Sequence, residues 1–266
     1  MRFFEHANNN YIIWALDQFL YNQGMLETQR RKSNFTFVLA LLLAFGIGWV
    51  LYRFVKTERL SLKASPPPMP VIISRKEWGA WPLDLLAPEE HGLFDTETNP
   101  EGVLYYPDDL RNVLNTIVVH HSAISDAGPA EIQKLHMDRR GFADVAYHFL
   151  IDSDGDIYEG REINIRGAHV QGFNTGSVGI VLLGNFNDEK PTKAQLDSLS
   201  NLINYLRYTY EIRYLAGHKD YPGQSPDGTE CPGANLYPLL PKIARDLGMK
   251  YGIDGYVVPE WVKSKN

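Results

Sequence analysis

Cysteine is almost absent from this sequence, which has 266 residues and one cysteine, Cys231. A single cysteine cannot form an internal disulfide, and it excludes the paired-cysteine spacing of zinc fingers and redox motifs. Three roles remain open for Cys231: a buried apolar residue, a bridge to another chain, or a thiolate that meets a reactive partner.

Positive charge is scarce over most of the chain. Residues 71–266 have a formal net charge of −10, whereas residues 1–70 have +4. Binding to the nucleic-acid backbone needs clustered positive charge, so this acidic part argues against a nucleic-acid partner, and none is expected. Hydrophobic residues make up 44% and charged residues 22%, which excludes a disordered chain and a multi-pass membrane protein.

One long apolar run is present, from Phe35 to Val55. About 20 helical residues span roughly 30 Å of hydrocarbon, so residues 35–55 are predicted to form a transmembrane helix that contacts the membrane. A cleaved signal peptide is the alternative, but the run is long, begins late in the chain, and no clear A-x-A cleavage site follows it. Basic residues flank both ends, so these charges do not give the orientation.

The segments on either side of this run have different characters. Residues 1–34 are predicted to form an N-terminal segment in which residues 11–21 make a short helix with one apolar face. That face suits a membrane surface or membrane-protein partners, and equally an ordinary packed helix. Residues 56–70 end in the proline-rich sequence SPPPMP and are predicted to be a semi-rigid linker.

The remaining chain is long enough for one sizeable core, predicted over residues 71–247, with a C-terminal tail at 248–266. Strand patterns alternate in it with helical ones, which predicts an α/β fold, a central mostly β-sheet flanked by helices, preceded by one N-terminal transmembrane helix. Strands are predicted at residues 116–120, 147–152 and 178–183, a hairpin turn at Asp154-Gly155, and helices at 129–140, after the capping box Thr192-x-x-Gln195, and at 235–247.

Histidine and cysteine occur where predicted strands meet loops. His120 closes the apolar strand TIVVH, His218 follows YLAG, and Cys231 comes thirteen residues later among proline and glycine. Two histidines and one cysteine would give a zinc ion three protein ligands and an open fourth position, as in catalytic zinc sites. Spacing alone also fits ordinary structural roles, which are the more frequent case for dispersed histidine and cysteine.

Five sequence blocks resemble the peptidoglycan recognition proteins, in that family's order, over residues 72–240. The chain is similar to the zinc-dependent N-acetylmuramoyl-L-alanine amidases that share this fold with phage lysozyme-type amidases. The blocks are IISRKEWGA at 72–80; VVHHSA at 118–123; VAYHFLI at 145–151 with DG and YEGR after it; GAH, GFN and SVGI between 167 and 180; and GHKD at 217–220 with CPG at 231–233.

The resemblance implies a site. It implies that His120, His218 and Cys231 bind Zn²⁺, the one cofactor expected, and that Tyr147 is the catalytic tyrosine beside the metal. His121, the second histidine of the pair, is not an expected ligand.

Further site residues are carried over in the same way. Thr229, two positions before the cysteine, is implied as a second catalytic group, and Lys219 remains a rival for that role. His169 and Asn174 are implied to line the substrate groove.

Two features of the blocks separate branches of the family. Cytoplasmic recycling amidases of related fold carry a glutamate in the strand after SIG, whereas this chain has Val181 in SVGIVLLG, which indicates the tyrosine-dependent branch. Non-catalytic recognition proteins typically lack the cysteine ligand, whereas this chain retains Cys231. The first feature favours Tyr147 as the catalytic residue, and the second favours an enzyme over a pure binding module.

The implied function is a membrane-anchored zinc hydrolase, an N-acetylmuramoyl-L-alanine amidase, that cleaves the amide between N-acetylmuramic acid and L-alanine in peptidoglycan. This substrate would place the catalytic domain in the periplasm or outside the cell, on a single-pass anchor in the inner (cytoplasmic) membrane, with residues 1–34 in the cytoplasm. The alternative is a tethered, non-hydrolysing peptidoglycan-binding subunit of a cell-envelope complex, with residues 1–34 and 81–115 recruiting partners. A toxin-like amidase acting on another cell is disfavoured by the retained anchor.

Overall fold

The computed structural model describes residues 14, 16–32, 34, 45–49, 65–90, 104–106, 109–223 and 228–254. The chain divides into two compact units, Met1–Ser65 and Pro66–Asn266. Their boundary falls within the stretch predicted as a linker, residues 56–70.

In the first unit, residues 16–32 and 45–49 are helical. Helical structure continues beyond the short segment predicted at 11–21, and it exposes large apolar side chains such as Leu16, Phe19 and Leu20. The predicted transmembrane helix lies outside the described residues except for 45–49. Among the residues that the structure describes, no helix is long and apolar enough to cross a membrane.

The second unit is built on a mixed sheet. Over its described residues the sheet has seven strands in the order β1-β4-β3-β5-β2-β6-β7, and all neighbours are parallel except the β3–β4 hairpin. The strands are β1 Ile72–Ile73, β2 Thr116–His121, β3 Phe149–Ile151, β4 Ile157–Glu159, β5 Ser177–Leu182, β6 Tyr214–Gly217 and β7 Lys250–Tyr251.

Helices flank this sheet, which confirms the predicted α/β class. They are α1 Leu110–Val113, α2 Pro129–Arg140, α3 Lys193–Thr209 and α4 Leu240–Asp246, with 3₁₀ turns at His218–Asp220 and Tyr237–Leu239. α3 begins at the predicted capping box, in which the Thr192 hydroxyl accepts a hydrogen bond from the Gln195 N–H at 3.1 Å. The helix predicted at 235–247, with interruptions at Pro238 and Pro241, is a 3₁₀ turn at Tyr237–Leu239 followed by α4. The two prolines lack the backbone donors that a helix interior uses.

The core lies around the central strands β2 and β5, whose residues are all buried. Strands buried on both faces are the rule in parallel sheets covered by helices. Side chains alternate along β2: Ile117 and Val119 join the main core with the inner face of α3, whereas Val118 packs in a second cluster with Val170. Because the period is two, His120 leaves β2 on the same face as Val118.

Residues 65–90 are joined to the sheet by buried charges. The Arg161 guanidinium, fully buried, binds Glu90 through two contacts of 2.7 and 2.8 Å, and Arg75 pairs with Asp144 at 2.7 Å. Burial alone would raise the pKa of Glu90, but the Arg161 charge, together with the hydrogen bonds from Arg161 and the Ala143 N–H, holds the pKa below its ordinary value. Glu90 is therefore ionised at neutral pH, and this segment belongs to the folded unit.

Candidate metal centre

The parallel strands bring the candidate ligands to one edge of the sheet. β2 and β6 are neighbours, with Val119 paired to Gly217, so His120 and His218 both follow that pair at the carboxyl ends of their strands. Open α/β sheets bind ligands at this edge. Two segments that are about 100 residues apart in sequence thus present imidazoles to one point.

Strand alternation separates the two adjacent histidines. His120 is fully buried on the site face, and its register partner on β5 is Val181. His121 points to the other face, where its Nδ1 accepts a hydrogen bond from the Phe186 N–H at 3.2 Å. Only the first histidine of the pair therefore contributes its ring to the candidate site.

His120, His218 and Cys231 come together with ligand atoms that all lie within 4.8 Å of one another. The His120 Nδ1 is 3.5 Å from the Cys231 Sγ, and the two histidine rings have centroids 4.7 Å apart. Two imidazole nitrogens and one sulfur form a donor set that suits zinc with a fourth position left open. The residues present fit the metal that the resemblance implies.

Backbone contacts hold the cysteine in place. The His121 N–H donates to the Cys231 Sγ at 3.4 Å, and the Lys219 N–H donates to the Cys231 carbonyl at 2.9 Å. The Thr229 hydroxyl accepts the Cys231 N–H at 3.2 Å. Cys231 is thus tied to both histidine-bearing segments.

The Asn187 side chain also contacts the loop that carries Cys231. Its side-chain amide donates to Glu230 at 2.8 Å and accepts the Ala234 N–H at 2.9 Å, so it spans the residues on either side of Cys231. Asn187 could not be predicted from the sequence, because its partners lie more than 40 residues further along the chain.

The surroundings control the charge of the candidate ligands. Burial, reinforced by His218 and His169, lowers the pKa of His120 well below its ordinary value, so its imidazole is neutral and can bind a metal. Removal from water raises the pKa of the Cys231 thiol to about 12, and the hydrogen bond from the His121 N–H acts in the opposite direction. A cation at this point would favour the thiolate, which is the form that ligates.

Tyr147 lies beside the candidate ligands. Its ring centroid is 5.0 Å from that of His120 and 5.5 Å from that of His136. Burial, followed by the Cys231 charge, raises the pKa of Tyr147 above its ordinary value, so the phenol keeps its proton and remains a hydrogen-bond donor.

His169 and Asn174, which the resemblance implies as groove residues, are both buried. His169 Nδ1 lies 3.0 Å from His120 Nε2, and its other ring nitrogen lies 3.3 Å from the Ser177 hydroxyl. The Asn174 side-chain oxygen accepts the N–H groups of His169 and Val170 at 2.7 and 2.8 Å. Asn174 thus orders the backbone of His169, whose ring in turn contacts a candidate ligand.

The two rivals for the second catalytic group lie in different surroundings. Thr229 is hydrogen-bonded to the backbone of Cys231 and is partly buried. Lys219 is exposed, with its ammonium over the Tyr237 ring at 4.9 Å from the centroid. This geometry favours Thr229 over Lys219.

His136 is a further residue of the site whose role could not be predicted from the sequence. It is buried on α2 and its Nδ1 accepts the Ala146 N–H at 3.0 Å, next to Tyr147 in the chain. Burial lowers the pKa of His136 to about 3, which keeps the ring neutral. Its helical spacing from the buried Ile132 is the signal that could have placed it on the inner face.

The fold and this site define a class, an α/β domain with a two-histidine, one-cysteine candidate metal centre at the carboxyl edge of its sheet. The family model described as "N-acetylmuramoyl-L-alanine amidase" matches residues 110–234. Peptidoglycan-recognition protein SC2 of Drosophila melanogaster is 37% identical over 136 residues, which cover 48% of this chain and 73% of that protein.

Solved structures agree with this match. The crystal structure of Drosophila peptidoglycan recognition protein SD has 28% sequence identity and a TM-score of 0.52, covering 65% of this chain and 95% of that one. A structure of tracheal cytotoxin bound to the ectodomains of peptidoglycan recognition proteins LCa and LCx has 29% identity and a TM-score of 0.51, covering 65% and 96%. The chain therefore belongs to the family of N-acetylmuramoyl-L-alanine amidases and peptidoglycan recognition proteins.

Proposed function

We propose that this protein is a membrane-anchored zinc amidase that hydrolyses the bond between N-acetylmuramic acid and L-alanine in peptidoglycan. The observation that carries the proposal is the convergence of His120, His218 and Cys231 within 4.8 Å, with the Tyr147 ring beside them. A pure binding module has no need of a thiol and two imidazoles that converge on one point, whereas a zinc hydrolase does.

The chemistry divides between the metal and the protein. Zinc, when bound by the three ligands, supplies a Lewis acid that polarises a scissile carbonyl and lowers the pKa of water. Tyr147, which stays protonated, donates a hydrogen bond to the negative charge that develops on the carbonyl oxygen. The Thr229 hydroxyl oxygen accepts the Cys231 N–H, and the same hydroxyl can in addition donate one hydrogen bond.

A non-hydrolysing peptidoglycan-binding subunit is the second candidate. It is favoured by relatives that are recognition proteins, two of which bind tracheal cytotoxin in a solved structure. Under that function the zinc ligands would be retained without turnover, and residues 1–34 and 81–115 would recruit membrane-protein partners.

The experiment that separates the two functions is metal-dependent turnover by the full chain in detergent. Chelation should abolish the release of stem peptides from purified peptidoglycan, and one equivalent of zinc should restore it. Mass spectrometry of defined muropeptides should show cleavage between the lactyl group and L-alanine. Chelator-insensitive release would contradict the zinc mechanism, and stoichiometric zinc without release from several peptidoglycan types would favour the binding subunit.

The location follows from the same substrate. Residues 35–55 would cross the inner (cytoplasmic) membrane once, with residues 1–34 in the cytoplasm and the catalytic unit in the periplasm or outside the cell. The protein should therefore stay in the membrane pellet after alkaline carbonate extraction, while protease added outside the inner membrane should digest the catalytic unit. Release by carbonate would contradict the anchor.

A further inference from the structure

The turn that carries His218 is held by a carboxylate. Asp220, two residues further along the same 3₁₀ turn, accepts hydrogen bonds from three directions. The Gly217 N–H donates to its Oδ2 at 2.7 Å, the Tyr237 hydroxyl to its Oδ1 at 2.5 Å, and the Tyr251 hydroxyl to its Oδ2 at 2.8 Å. Both oxygens of the carboxylate are therefore engaged.

The two phenols come from the C-terminal part of the chain. Tyr237 begins the 3₁₀ turn before α4, and Tyr251 lies on β7, where it pairs with Leu215 of the neighbouring β6. Both follow residue 234, where the family match ends. Residues 248–266 match no family block in the sequence. Through Tyr251, the start of that tail contacts Asp220, which lies two residues after the candidate ligand His218.

The contacts are arranged so that the phenols act as donors. The Asp220 hydrogen bond raises the pKa of Tyr237, and burial together with Asp220 raises the pKa of Tyr251. Both hydroxyls keep their protons at neutral pH. The Lys219 ammonium above the Tyr237 ring holds one of these phenols from its other side.

The backbone transmits this restraint to the ligand. Asp220 is fixed to the N–H of Gly217, the residue directly before His218, and the Tyr221 N–H closes the turn on the His218 carbonyl at 3.2 Å. The carboxylate therefore restrains the backbone one peptide unit before His218, and the hydrogen bond from Tyr221 holds the carbonyl that follows it. A ligand whose orientation is set before the metal arrives loses less conformational freedom on binding.

We propose that Tyr251, together with Tyr237 and through Asp220, is a positioning residue that orders His218 for metal binding. Neither phenol is one of the three candidate ligands, and each would act on metal affinity through Asp220. The proposal rests on the metal site of the proposed function.

The test is metal affinity measured without turnover. The full chain in detergent is stripped of metal and titrated with Co²⁺, followed by the thiolate-to-cobalt absorption, and its zinc affinity is obtained by competition with a chelator. Tyr251→Phe and Tyr237→Phe each remove one hydroxyl and keep the ring. Each should weaken zinc binding by about 3- to 10-fold, at or below the low end of the range for a direct partner of a ligand. The control is Tyr208→Phe on the exposed side of α3, which should bind zinc like the wild type.

Two controls distinguish positioning from a general loss of stability. Zinc affinity is measured at a temperature far below the unfolding midpoint of each variant, and the two substitutions are combined in a double-mutant cycle. In an Asp220→Asn background, Tyr251→Phe should have little further effect, because the partner of its hydroxyl has been changed. Unchanged zinc affinity in Tyr251→Phe, or equal losses with and without Asp220→Asn, would overturn the proposal. A wild type that binds neither metal overturns both this proposal and the proposed function, whereas a wild type that binds zinc tightly without cleaving peptidoglycan overturns only the latter.

Discussion

A Cys231→Ser variant is expected to lose its stoichiometric zinc and, with it, hydrolysis of peptidoglycan. Serine keeps the size of the side chain but replaces a soft thiolate with a hydroxyl that stays protonated at neutral pH, leaving His120 and His218 as the two remaining strong ligands. Loss of a residue that hydrogen-bonds to a metal ligand lowers metal affinity by about 10- to 100-fold. Loss of a ligand itself should lower zinc affinity by more than that. The measurements are zinc per chain by mass spectrometry and release of stem peptides.

The control for Cys231→Ser is the metal-free protein. Variant and wild type should unfold at similar urea concentrations once a chelator is present, because the thiol makes weak contacts apart from the metal. Added zinc should stabilise the wild type alone, since a ligand stabilises only the state that binds it. Full activity in the variant would remove Cys231 from the mechanism.

A Tyr147→Phe variant is expected to keep its zinc and to lose about 10²- to 10³-fold in kcat, the usual cost of removing one donor to a developing oxyanion. Phenylalanine preserves the ring contacts with His120 and His136 and removes only the hydroxyl. The loss should therefore appear in kcat, with a smaller change in KM. Steady-state kinetics on a defined muropeptide, with zinc content measured in parallel, checks this expectation.

Tyr158→Phe is the matched control for Tyr147→Phe. Tyr158 lies on β4, and its hydroxyl donates to Asp152 at 2.8 Å within the β3–β4 hairpin. Loss of that hydroxyl should leave kcat close to the wild-type value. If Tyr147→Phe retained wild-type kcat, the phenol would have no part in stabilising the transition state.

Local signals in the sequence predicted several elements closely. α2 spans the predicted residues 129–140, with proline at its first position, and α3 begins at the capping box that its sequence spells out. The helix predicted at 235–247 is interrupted, as its two prolines indicate, and forms a 3₁₀ turn followed by α4. Such elements depend on neighbours in the sequence, which is why they can be predicted from it.

The contacts that support the site were harder to predict, because they join distant segments. Asn187 meets Glu230 across 43 residues, and Asp220 meets Tyr251 across 31. No local pattern indicates that an asparagine in a turn will span a cysteine loop or that a tail tyrosine will reach a metal-bearing turn. These contacts depend on the order of the strands in the sheet, which brings the distant segments together.

The buried position of His169 had one signal in the sequence. Gly179 lies in the middle of the buried strand β5, and a Cβ there would come within 2.6 Å of the His169 ring. A glycine inside a buried strand marks a place where another group approaches the backbone closely. The identity of that group could not be predicted, because nothing in SVGI indicates which loop packs above it.

The buried pair of Arg161 and Glu90 has a consequence for how this domain can be divided. Residues 110–234 contain all three candidate ligands, yet Glu90 lies before that segment and Tyr251 lies after it. If residues 110–234 were moved into another scaffold, they would carry the ligands but leave the buried Arg161 guanidinium without Glu90. Removing one partner of a buried ion pair costs about 3–5 kcal/mol of folding stability. The segment that must be kept together for this domain to fold is therefore longer than the family match at residues 110–234. It begins at β1 and ends at β7.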